Sequence, residues 1–272
     1  MPRKSGLSVV SILLNGGEYK GLMQEASIGS EVDSADLSGI GDRFAWEQVL
    51  AASHMFNFST LSKVGGSGSD QNLRTTNVHI SVFTVGGTDW LADVSDANID
   101  ISVPTEDSQG LNAFDKLPNF VGKQSITLTA KKLISTSTNL ADTVGGIMGS
   151  FDIIDFSVAI VMTINGVSIS FPATLTAAKH SFDHGKLQLE DVTIKNQGTP
   201  TSPASGTGLI GKCLLGDSTC TVDIDTGANE YVATGSDDTP IALITQLRVA
   251  VARGPANKIS GQLNFQGRIA VA

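Results

Sequence analysis

Cysteine is nearly absent. Cys213 and Cys220 are the only two, with no CxxC pair and no nearby histidine pair, which excludes a disulfide framework and a thiolate zinc site. Their spacing allows one bridge across a hairpin, but two reduced thiols in core or loop fit better. Aromatic residues are scarce at 6%, and basic residues are outnumbered, 18 Lys+Arg against 27 Asp+Glu, for a formal charge of −9. A chain of that sign repels a phosphate backbone and is not expected to grip nucleic acid. No apolar run is long enough to cross a bilayer. The opening MPRKSGLSVVSILLNGG imitates a signal peptide only superficially. Its apolar stretch is short, alternates with Ser and ends at a Gly-Gly turn without a small-residue cleavage site, so it predicts a first strand.

What is present favours β-structure. Glycine is abundant (29 of 272 residues), and Val, Ile and Thr fill the apolar stretches, as expected of many short strands joined by turns. The length suits one large or two ordinary domains of about 100 to 150 residues. Two stretches beginning at Gly16 and Gly86 are internally similar. Ala26-Ser27-Ile28 falls on Ala97-Asn98-Ile99, Asp36 on Asp107, Gly39 on Gly110, Phe44 on Phe114, and the Phe56, Phe58 pair on Ile126, Leu128. Each unit reads as strand, Gly-Gly turn, strand, acidic loop, short helix, strand. The helix rests on apolar spacing near 3.6 in DRFAWEQVLA, and its counterpart LNAFDKLPNF is cut short by Pro118.

The back halves pair as well. ATLTAAKHSFDHGKLQLEDVTIKNQG parallels ITQLRVAVARGPANKISGQLNFQG, and each is preceded by a hairpin, VAIVMTINGVSISFPA and CTVDIDTGANEYVATG. The order front, front, back, back implies one β-domain inside a loop of another. Gly/Ser/Pro-rich linkers at 64–77 and 199–208 bracket the insertion. The expected domains are residues 1–64 with 208–272, and an inserted 78–200.

Catalytic signals are weak. Val222-Asp223-Ile224-Asp225-Thr226-Gly227 resembles the nucleophilic turn of aspartic proteases, but that chemistry needs two carboxylates sharing a proton, and no second Asp-Thr/Ser-Gly occurs. A hairpin turn explains the string better. His180 and His184 have i, i+4 spacing but no following Glu, and a solvated loop is the better reading. Asn57-Phe58-Ser59 matches a glycosylation sequon on a predicted strand. No phosphate loop or nucleophile elbow occurs, so neither catalytic residue, cofactor nor metal is expected. The acidic loops GSEVDSAD and SVPTEDSQG occupy equivalent places in the two units, and Glu31, Asp33, Asp36, Glu106 and Asp107 are the candidate interface or lumen residues.

The strings ILLNGGEYKGL, ASIGSEVDSADLSGIGDRF, MFNFSTL and ISGQLNFQGRIAV together resemble the tail tube proteins of long-tailed phages and their relatives in contractile injection systems. The resemblance implies a β-sandwich or half-barrel with a flanking helix, whose strands join those of neighbouring subunits around a channel. It implies a virion protein assembled in the host cytoplasm, with itself and other tail proteins as partners and no membrane. Rings would hold six chains, or three if each carries two domains, stacked so that DNA passes an acidic wall without specific binding. The rival expectation is a capsid decoration or head-to-tail joining protein; a dimeric aspartic protease is the third.

Overall fold

The computed structural model describes residues 9–19, 23–39, 44, 47–61, 80–108, 117–133, 157–164, 167–181, 184–185, 189–198, 200–201, 213, 219–234, 241–252, 258–267 and 269–271. In chain order these form β1 (Ser11–Leu14), β2 (Gly17–Glu18), β3 (Met23–Asp36), β4 (Glu47–Leu61), β5 (Ile80–Val85), β6 (Thr88–Asp89), β7 (Val94–Ser102), β8 (Thr105–Ser108), β9 (Leu117–Phe120) and β10 (Ser125–Leu133). The chain continues through β11 (Ser157–Ile164), β12 (Val167–Ser181), β13 (Leu189–Asn196), β14 (Thr219–Cys220), β15 (Val222–Asp225), β16 (Glu230–Ala233), β17 (Ala242–Ala252), β18 (Lys258–Phe265) and β19 (Ala270–Val271). The mostly β class read from composition is therefore the class observed.

One large antiparallel sheet has the order β3-β4-β18-β17-β7-β10-β13-β12-β11-β5-β6, with β14 beside β17. A five-stranded sheet, β19-β16-β15-β1-β2, contributes Ile12, Leu14, Val222 and Ile224 to the same core cluster as Phe56, Phe58, Ile244 and Leu263 of the large sheet. Each such side chain moved out of water is worth about 1.5–3 kcal/mol. Strand alternation does the sorting: along β10 the pattern is Ile126, Leu128, Ala130 inward and Ser125, Thr127, Thr129 half-exposed.

The strands fall into two sets with the same pairing. β3-β4-β18-β17 in one set matches β7-β10-β13-β12 in the other. The registers coincide residue by residue. Ala242↔Phe265 and Ile244↔Leu263, then a bulge before Gln246↔Gln262, repeat Ala173↔Asn196 and Leu175↔Ile194, then a bulge before Ala177↔Thr193. The bulged residue is Thr in both, its hydroxyl donating across the ladder: Thr245 to the Gln262 carbonyl (3.3 Å), Thr176 to the Thr193 carbonyl (3.1 Å). The leading hairpins also agree. Asn15 and Gly16 turn with φ of 50° and 74°, Gly86 and Gly87 with 58° and 84°, the two-residue geometry whose twist matches the flanking strands. Tyr19 then donates its N–H to the Ile12 carbonyl as Trp90 does to that of Phe83, both at 2.8 Å.

Side chains differ where the backbones agree, and they differ in compensating pairs. Phe58 lies opposite Gly261, where a Cβ would meet the Phe58 ring at 2.9 Å and the Gln246 carbonyl at 2.8 Å. The corresponding pair is Ala130 opposite Val192, so bulk has moved from one strand to its neighbour. Thr60 opposite Ile259 corresponds to Lys132 opposite Glu190, a fully buried ion pair at 3.9 Å with the Lys132 ammonium 5.0 Å from the Trp90 ring centre.

Several expectations are corrected. Residues 47–51 of the predicted helix DRFAWEQVLA begin β4, and residues 117–120 of LNAFDKLPNF form β9; the preceding residues lie largely outside those described. A bulge puts Leu50 between the pairs Asp33↔Ala51 and Ser34↔Val49, so adjacent apolar residues interrupt the two-residue period and imitate a helix. The acidic segments are strands as well: GSEVDSAD runs through β3, and SVPTEDSQG contains β8. Pro104, lacking an N–H, separates β7 from β8 where β3 continues unbroken through Asp33. The ladders set Ala26 and Ile28 level with Ala97 and Ile99, but place Phe56 level with Leu128 and Phe58 with Ala130, two residues from the expected match. A slip of two preserves alternation, so sequence pattern alone does not detect it. His180 lies on β12, paired with Glu190, rather than in a loop. The linker 64–77 lies outside the described residues, as does most of 199–208.

Candidate assembly interface

The end of the β3–β4 hairpin runs beyond the described strand that pairs with it. β4 pairs with β18 only from Met55 to Leu61, so Ser30–Asp36 and Glu47–His54 pair with each other and with no further described strand. This arm carries Glu31, Asp33, Asp36 and Glu47 with no Lys or Arg among those residues. It also holds Val32, Val49 and Leu50, each about half-exposed, and leads to Leu37 and to Phe44, which is 86% exposed. Ser30 and His54 meet across it at 2.7 Å, and the Ser34 hydroxyl donates to Glu47 at 3.2 Å. Ser38 donates its backbone N–H to Asp36 at 2.8 Å, closing a local turn.

The second set has a smaller counterpart in β8–β9, with Glu106 opposite Asn119 and Asp107 opposite Pro118. It is tied to the sheet by the Gln266 side-chain amide, which donates to the Pro118 carbonyl at 2.9 Å. All five predicted site residues are exposed. Glu31 and Asp33, two apart on one strand, share a face, whereas the adjacent Glu106 and Asp107 point to opposite faces. The exposed apolar residues of the arm are not legible in the sequence, because the spacing of Val49 and Leu50 imitates a helix.

The other chemistry-bearing candidates are structural. The Asp225 carboxylate accepts the Gly227 N–H at 2.6 Å, and the Thr226 hydroxyl donates to the Asn229 carbonyl at 2.9 Å, so Asp-Thr-Gly closes the β15–β16 turn with Gly227 at φ 74°. Asn57 lies within the β3–β4–β18 ladder, and Cys213 and Cys220 are buried and not joined in a disulfide. Burial pushes the Tyr19 hydroxyl up to about 12, with a smaller coulombic push from Cys220. Among the described residues no group of three or more His, Cys, Asp or Glu could hold a metal ion, and no helix is long and apolar enough to cross a membrane.

Among the described residues, two strands of the large sheet keep an edge that is wholly or partly unpaired. β3 has β4 on one edge and no described strand on the other. β12 shares its pairing between neighbours: Val167–Thr174 pairs with β11, while Ala177–Ser181 pairs only with β13, leaving its other edge open among the described residues. Inside the chain the matching edges are joined, since β17 pairs with β7 over Gln246↔Ser102 to Ala252↔Asp96, with Arg248 and Asp100 3.5 Å apart across the junction.

No protein-family model matches this sequence, and no curated protein matches it. Among solved structures, the chain is similar to one from the virion of a native gene transfer agent particle, at 12% identity and a TM-score of 0.34, covering 42% of this chain and 97% of that one. It is also similar to a chain in the tail of an empty gene transfer agent particle with C6 symmetry, at 13% identity and a TM-score of 0.35, covering 41% of this chain and 83% of that one.

Proposed function

We propose that this protein is a non-enzymatic structural subunit of a phage-type tail tube, which polymerises by joining sheet edges between copies. The observation that carries this reading is the β17–β7 junction: two equivalent four-strand sets already sit edge to edge in one sheet, and among the described residues the outer edge of β3 and that of β12 over Ala177–Ser181 are left unpaired. An open edge with unpaired N–H and C=O groups is normally a liability, and pairing with a neighbour removes it. On this reading the chain consists of two tube-type domains, residues 1–64 with 208–272 and an inserted 78–200. Three chains would then supply the six units of a ring, although six chains per ring remains the alternative.

The acidic arm of β3–β4, with Glu31, Asp33 and Asp36, and the β8–β9 hairpin, with Glu106 and Asp107, supply the lumen or the contacts between stacked rings. An acidic wall lets DNA pass without specific binding. The exposed Val32, Leu37, Val49 and Leu50 give the arm apolar area to bury against the next ring. The protein works in the virion, with itself and other tail proteins as partners. Negative-stain microscopy of the purified protein tests the assignment. Hollow tubes or stacked rings are expected; a protein that stays monomeric or forms small oligomers at high concentration is instead a decoration or head-to-tail joining protein.

A further inference from the structure

We propose that the Ala177–Ser181 edge of β12 in one chain pairs with the edge of β3 in a second copy, both open among the described residues, in the register that β17 and β7 use within the chain. The inference rests on the reading of the protein as a self-assembling subunit, and it names the two edges and their alignment. β12 repeats β17 and β3 repeats β7, as the shared ladders and bulges establish. The β17–β7 ladder therefore translates directly. Gln246↔Ser102, Leu247↔Ile101, Arg248↔Asp100, Val249↔Ile99 and Ala250↔Asn98 become Ala177↔Glu31, Ala178↔Ser30, Lys179↔Gly29, His180↔Ile28 and Ser181↔Ser27. The bond from the Val103 N–H to the Thr245 carbonyl, 2.9 Å, becomes one from Val32 to Thr176.

Polarity is consistent, because each edge keeps the direction of the strand it repeats. The contact is thus head-to-tail, the type that closes into rings when the rotation per subunit permits. Charge is also compatible. Lys179 is exposed and would stand opposite Gly29 with Glu31 on the diagonal, within reach of a long side chain. The residues on these edges explain why the chain need not aggregate on synthesis. Inside the chain the junction is cemented by Leu247 with Ile101 and Val249 with Ile99, all at most 2% exposed. At the corresponding positions the open edges carry Ala178 with Ser30 and His180 with Ile28, a smaller and more polar seam that relies mainly on backbone hydrogen bonds.

Cysteine pairing on assembled protein tests the register. Directly opposite residues place Cα atoms within disulfide range, whereas residues four further along do not. Chains carrying Ala178→Cys and Ser30→Cys together should, on mild oxidation of assembled particles, become covalent multimers. Chains carrying Ala178→Cys and Ser34→Cys should not, and the native thiols are both buried. Particles that form while only the shifted pair links, or neither pair links, overturn the register and leave the tube assignment standing. A protein that never assembles overturns both. As an independent measurement, Ala178→Leu with Ser30→Ile rebuilds the internal pair across the boundary and should lower the concentration for half-assembly roughly tenfold. An unchanged or higher value counts against the pairing.

Discussion

β7 and β3 hold the same position in their strand sets, yet one is sealed and the other is bare. β7 is covered by β10 on one edge and β17 on the other, and Ala97, Ile99 and Ile101 are at most 2% exposed. Among the described residues β3 has only β4, and its counterparts Ala26 and Ser30 are exposed and Ile28 half-buried. The residues have adjusted to that difference: Ile101 is replaced by Ser30 and Asp100 by Gly29, while the shared Ala and Ile remain. A strand of fixed backbone pairing thus becomes a core strand or an edge strand according to what its neighbour covers.

The comparison can be broken most severely at the Lys132–Glu190 pair, which has no ionic counterpart at Thr60 and Ile259. Lys132→Ala leaves a carboxylate without its cation at 0% exposure and should cost about 3–5 kcal/mol in urea unfolding. The double change Lys132→Thr with Glu190→Ile, which installs the other set's residues, should recover most of that loss. A smaller effect is expected from exchanging strand identities. Ile101→Ser should cost about 3 kcal/mol through lost burial and a cavity, whereas Ser30→Ile in the unassembled chain should stay within about 0.5 kcal/mol. Equal effects of the two changes would mean that β3 is covered in the isolated protein.

The smallest effect lies at Tyr19, which stands where the second set has Trp90. Its folded pKa of about 12 exceeds the ordinary 10.0, so the folded state holds the proton more tightly. The corresponding stability is fully present below pH 10 and is lost as pH rises through 12, amounting to about 1.4 kcal/mol at pH 11. Tyr19→Phe should remove that component of the alkaline decline in thermal melts, and an identical decline in the variant would place the effect elsewhere.

Much of this was legible in the residues. MFNFSTL and SITLTA alternate and are strands, and the Asn15-Gly16 and Gly86-Gly87 turns behave as their composition requires. The candidate site was legible in place but not in form. Glu31, Asp33 and Asp36 were found as an acidic segment, but Ser, Asp and Gly have low strand propensity, and only pairing with Glu47–His54 makes that segment β. The bulge at Leu50 hid the returning strand, because it breaks the period on which the reading depends.

Sequence alone determined the β class, the tight turns at Asn15-Gly16 and Gly86-Gly87 and the inward face of cleanly alternating strands such as β10, since all three follow from side-chain sterics and a two-residue alternation acting over a few positions. Tertiary structure decided which strands are neighbours: β18 between β4 and β17, β17 against β7, and, among the described residues, the edges left at β3 and at Ala177–Ser181 of β12. Those choices depend on backbone hydrogen bonds between segments far apart in the chain. Such bonds are chemically alike at every residue and leave no mark on the local pattern.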